Sequence, residues 1–93
     1  MSEPQRIARR VVVHGLVQGV FFRDATRREA VDAGVDGWVR NEYDGTVHAL
    51  FEGPPDAVQR LVEWVRDGPR NAIVESVDVT PAEPSGTHGF RVG

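Results

Sequence analysis

The chain has no cysteine and no lysine. Without cysteine there is no disulfide framework and no thiolate chemistry. Without lysine there is no Walker-type phosphate loop, which needs an ammonium group, and no Schiff-base catalysis. No apolar run reaches the ~20 residues that span a bilayer, and residues 1–5 lack the hydrophobic stretch of a signal peptide. A cytoplasmic location without a membrane partner is expected. An excess of positive charge is missing too. The 11 basic residues, all arginine, face 14 acidic ones, for a formal net charge of −3. That balance argues against a nucleic-acid partner, which would need a basic face.

What is present suits one globular domain over residues 1–93, with residues 1–5 as a flexible start. Residues 7–17 read as a strand with Ile7, Val11, Val13 and Val17 on one face and Ala8, Val12, His14 and Leu16 on the other. Residues 22–33 read as a helix burying Phe22, Thr26, Ala30 and Ala33, stopped by Gly34. A short strand over 35–41 is followed by a hairpin over 41–46, in which Asp44 and Gly45 are expected to supply positive φ angles. The return strand, 46–52, alternates Val47, Ala49 and Phe51 against His48, Leu50 and Glu52. Gly53-Pro54-Pro55 breaks that strand and opens a second helix, where Val58, Leu61, Val62 and Val65 recur at helical spacing. Gly68-Pro69 ends it. A strand over 72–80, with Ile73, Val77 and Val79 on one face, a loop over 81–89 and a short strand over 90–92 complete the chain. The order β-α-β-β-α-β, with a minor extra strand, predicts an α+β, ferredoxin-like sandwich: one antiparallel sheet with two helices on one face.

The most informative segment joins the first strand to the first helix: Gly15-Leu16-Val17-Gln18-Gly19-Val20-Phe21-Phe22-Arg23. Glycines at such a turn let the backbone approach a ligand, and the opening helix points unpaired N–H groups outward. With an arginine in the first turn, the segment suits a small dianion, most plainly phosphate. A second segment, Gly37-Trp38-Val39-Arg40-Asn41, precedes Asp44-Gly45.

Together the two segments resemble the paired signatures of the acylphosphatases, and the resemblance covers nearly the whole chain in order and spacing. It implies a free-standing, monomeric hydrolase that cleaves the carboxyl–phosphate bond of small acyl phosphates, with no cofactor and no metal. Inorganic phosphate would be its product or an inhibitor. Arg23 would bind the substrate phosphate with backbone N–H groups of Gly19, Val20, Phe21, Phe22 and Arg23, and Asn41 would orient the attacking water. Gly15 and Gln18 would shape the loop. The family picture also gives the water's proton to a substrate phosphate oxygen.

The residue types suit these roles independently. A guanidinium offers two parallel donors to a phosphoryl group. An amide accepts from a water through its oxygen and donates through its nitrogen. An acyl phosphate leaves as a weakly basic carboxylate, so positioning and charge stabilisation can carry its hydrolysis.

Other residues draw plainer readings. Gln18 either touches the loop backbone or is exposed, and Asn41 also suits a hairpin start. Arg40 should face away from Asn41. His14 and His48 should lie on adjacent central strands on the open face, where they could meet. Lacking a carboxylate partner, they make a poor metal set. Trp38 is expected to pack over small neighbours on that face, with a weak self-association surface as the alternative. The rival from another class is a domain of the same plan that binds phosphate without turnover.

Overall fold

Alternation along the central strands decides which face of the sheet is buried. A computed structural model describes residues 5–93 of the chain. Of the flexible start expected over residues 1–5, residues 1–4 lie outside the described residues. The elements run β1 (Ile7–Leu16), α1 (Phe22–Ala33), β2 (Asp36–Asn41), β3 (Val47–Gly53), α2 (Pro55–Asp67), β4 (Ile73–Ala82) and β5 (Phe90–Val92). The sheet order is β4-β1-β3-β2-β5, antiparallel throughout except that β5 joins β2 in parallel. This is the ferredoxin-like plan with one added edge strand.

The odd-numbered residues Val11, Val13, Val39, Val47, Ala49 and Phe51 face the helices and form the core with Phe22, Ala30, Val58, Leu61, Val62 and Val65. In α1 the buried Thr26 hydroxyl donates to the Phe22 carbonyl at 2.8 Å, so the polar group is satisfied inside its own helix. Gly34 ends α1 in the left-handed conformation (φ 73°), as the sequence predicts.

Two local expectations are corrected. Ile73 does not share a face with Val77 and Val79. The register of β1 against β4 shifts between His14 and Gly15, which pair with Ser76 and Val74 in turn. One extra residue on β4 reverses the alternation beyond it. Val74 therefore packs against the core and Ile73 is exposed, opposite the exposed Leu16. In the β2–β3 hairpin only Gly45 has positive φ, at 90°. Asp44 instead braces the turn with its side chain, accepting from the Thr46 N–H at 3.0 Å and from the Thr46 hydroxyl. Those bonds hold its carboxyl below the ordinary carboxylate value.

The open face is less open than its pattern implies. Ala8 and Glu52, paired across β1 and β3, are both fully buried there. The loop after β4 crosses over them: Ser85 N–H and Gly86 N–H each donate to the Glu52 carboxylate at 2.8 Å, and Arg6 approaches it at 3.4 Å.

Candidate active site

Two breaks in backbone hand shape the loop between β1 and α1. Gly19 has φ 74° and Phe21 has φ 60°, whereas the intervening Val20 does not have positive φ. Alternating hand turns successive N–H groups toward a common point, forming a concavity for an anion. Phe21 is the N-cap of α1 but provides no side-chain cap, and the first helical N–H with a backbone partner is that of Ala25. The N–H groups of the first turn are thus left for a ligand, with the positive end of the helix dipole behind them. Gly15 has a separate task at the strand bulge. Its φ is 131°, and a Cβ there would collide with the Ile73 carbonyl oxygen.

Arg23 follows in the first turn of α1, and Asn41 is the last residue of β2. Asn41 lies two residues beyond the buried Val39 and so shares its helix-facing side, while Arg40 faces the other way. Both Arg23 and Asn41 line one cavity of about 250 Å³, together with Val17, Gly19, Phe21 and Phe22. Asp24 and Val92 complete its wall. The two sequence segments therefore converge on one space. Arg23 Nη1 donates to the backbone oxygen of Gly93, whose own N–H donates to the Val39 carbonyl at 2.8 Å. Its remaining donors are left for an anion. The Asn41 Oδ1 atom is buried and has no hydrogen-bond partner among the described residues. A buried acceptor left unpaired costs about 1–3 kcal/mol, so it marks a place where a donor such as water belongs.

Gln18 does touch backbone, but not that of its own loop. Its amide Nε2 donates to the Glu42 carbonyl at 2.7 Å and to the Thr46 carbonyl at 3.0 Å. Gln18 is a strap between the anion loop and the β2–β3 hairpin, which carries Asn41. Sequence reasoning also passed over Asp24, a carboxylate on the wall of the cavity that is paired with Arg28 at 3.1 Å, one helical turn on. It missed Val92 as well. Asp24 was visible as an acidic residue beside Arg23, whereas Val92 arrives only through the pairing of β5 with β2.

The histidines do not meet. His14 Nε2 is 2.9 Å from Asp78 Oδ2, and His48 Nδ1 is 4.0 Å from Glu42 Oε1. His14 is hydrogen-bonded to the Asp78 carboxylate of β4, whereas His48 Nδ1 is buried without a hydrogen-bond partner among the described residues. Among the described residues no three His, Cys, Asp or Glu side chains converge as a metal-ligand set. Two guanidiniums lie over Trp38: Arg10 and Arg40 sit 5.5 and 4.7 Å from its ring centre.

With the geometry in view, comparison with known proteins is decisive. The acylphosphatase family profile matches residues 9–92. The chain belongs to the acylphosphatase family. It is 56% identical over 82 residues to an acylphosphatase of Gloeobacter violaceus, an alignment covering 88% of each chain. It is 50% identical to that of Haloquadratum walsbyi, over 99% of this chain and 98% of the other. The solved acylphosphatase structure from Coxiella burnetii superposes with a TM-score of 0.94 at 34% identity, covering 100% of both chains. The acylphosphatase fold is thus shared across the described residues.

Proposed function

We propose that this acylphosphatase-family chain hydrolyses the carboxyl–phosphate bond of small acyl phosphates, releasing a carboxylate and inorganic phosphate without a metal ion. The observation that carries this reading is that Gly19, Phe21, Phe22 and Arg23 of the loop line one cavity with Asn41, whose buried side-chain oxygen is unpaired among the described residues; Val20 is not on that wall.

The phosphoryl group sits in the loop, with N–H groups and Arg23 balancing its charge. Water donates a hydrogen bond to Asn41 Oδ1 and is held in line with the phosphorus. A new P–O bond forms as the P–O bond to the acyl carbon's oxygen breaks. The carboxylate leaves with the bonding electron pair, and the proton of the water passes to a phosphate oxygen. A dissociative phosphoryl transfer of this kind asks for positioning and charge stabilisation more than for a strong base. A planar fork and a fixed array of N–H groups meet both demands. Arg23 and the loop N–H groups take the charge-balancing part that metal ions play in many phosphoryl transfers, and inorganic phosphate competes for the same donors.

The test is hydrolysis of acetyl phosphate in excess chelator, followed by release of acetate and phosphate. Stoichiometric release at a rate unaffected by the chelator supports the reading. Phosphate binding without product release would make the chain an anion-binding domain and contradict it.

A further inference from the structure

Phe21 is an unfavourable choice on two counts. It holds φ 60° and ψ 25°, a left-handed conformation that bulky residues avoid and glycine or asparagine adopts easily. Its side chain is also 80% exposed, so no burial offsets that strain. Strain of this kind gathers where a ligand is held. Phe21 lines the cavity that holds Arg23 and Asn41, and so does Val92 of β5, itself 43% exposed. Of the four apolar side chains that line this cavity, Val17 and Phe22 are buried in the core, whereas Phe21 and Val92 are reachable from solvent.

We propose that Phe21 and Val92 form an apolar wall that receives the acyl group and selects bulky apolar acyl phosphates over acetyl phosphate. The inference rests on the hydrolysis reading. With the phosphoryl end held by the loop, the acyl end has to leave by the cavity mouth, where contact with these side chains removes apolar surface from water. The competing exit passes Tyr43, also exposed. Tyr43 instead groups with Gln18, Asn41 and Glu42 around a separate hollow and does not line the Arg23 cavity.

The experiment measures kcat/KM for benzoyl phosphate and for acetyl phosphate, and takes their ratio. Phe21→Asn keeps a residue at ease in the left-handed conformation and removes the ring, and it should lower the ratio by about tenfold. Val92→Thr keeps the β-branched shape, replaces one methyl by a hydroxyl, and should lower it by about threefold. Tyr43→Ser should leave the ratio unmoved. Turnover of both substrates with an unmoved ratio in Phe21→Asn and Val92→Thr overturns the wall alone. A fall in Tyr43→Ser instead moves the acyl group to the other hollow and overturns it too. Turnover of neither substrate by the unsubstituted chain removes the hydrolysis reading, and this inference with it.

Discussion

At the scale of single residues, Gln18 shows how a side chain outside the chemistry can govern it. Its two hydrogen bonds tie the anion loop to the hairpin that ends β2, and so set where Asn41 lies relative to the loop. Gln18→Leu keeps the size of the side chain and removes both bonds. The unfolding free energy should fall by about 1–2 kcal/mol. The kcat should fall further than any change in KM accounts for, because an ångström of misplacement is costly in an oriented reaction. Denaturant unfolding and steady-state kinetics measure the two effects, and a stability loss with unchanged kcat would make the strap structural only. Gln18 stood in the sequence as an unresolved choice between contact and exposure. Its partners are 24 and 28 residues away, and no local pattern names them. That Arg23 and Asn41 line one cavity accords with the sequence, because their segments carry both the turn chemistry and the functional groups.

At the scale of elements, the strands and helices follow their periodicity closely, since each alternation or helical stripe is complete within its own segment. Errors gather where one strand meets another. Nothing local in residues 72–80 announces the bulge that exposes Ile73 and turns the half-buried Val74 to the core. Its cause sits across the sheet at Gly15. The partner of His14 was missed for the same reason, because the Asp78 carboxylate comes from another strand. Gly15→Ala tests the bulge. The added methyl meets the Ile73 carbonyl oxygen, and φ 131° is strained for alanine. A loss of about 2 kcal/mol is expected, equivalent to roughly 8–16 °C in Tm for a domain of this size. Turnover should fall as well, because the anion loop departs from that bulge. An unchanged Tm would show that Gly15 is dispensable to the register.

At the scale of the whole molecule, the far end of the sheet controls the near one. Glu52 is fully buried and collects the N–H groups of Ser85 and Gly86, the Ser85 hydroxyl and Arg6. Asp36 beside it pairs with Arg6 and accepts from Gly89 N–H, each at 2.9 Å. These bonds fix the return loop that leads β5 along β2 and brings Val92 and Gly93 to the cavity. Burial alone would push the Glu52 carboxyl up, but the converging donors outweigh it and hold the group below its ordinary value. A carboxylate lowered in the folded state adds stability at pH above its unfolded value. It loses that contribution as pH falls through the folded one. Tm should therefore decline on the acid side of the ordinary carboxylate range, and Glu52→Gln should be less stable at neutral pH with a shallower acid decline. Parallel acid limbs in the two proteins would assign the pH dependence elsewhere. The sequence placed residues 81–89 as a loop and Glu52 on the open face. Only the fold reveals that each covers the other.

The central claim is that one cavity divides its labour, with Arg23 and the loop binding phosphate and Asn41 placing the water. The most direct test measures benzoyl phosphate turnover and inorganic phosphate inhibition in the unsubstituted chain, Arg23→Gln and Asn41→Ala. Arg23→Gln should lose turnover and phosphate inhibition together. Asn41→Ala should keep phosphate inhibition while kcat falls by on the order of 10²–10³, the scale of losing one oriented donor or acceptor at a reacting centre. Full turnover in either variant, or equal loss of phosphate inhibition in both, would contradict that division.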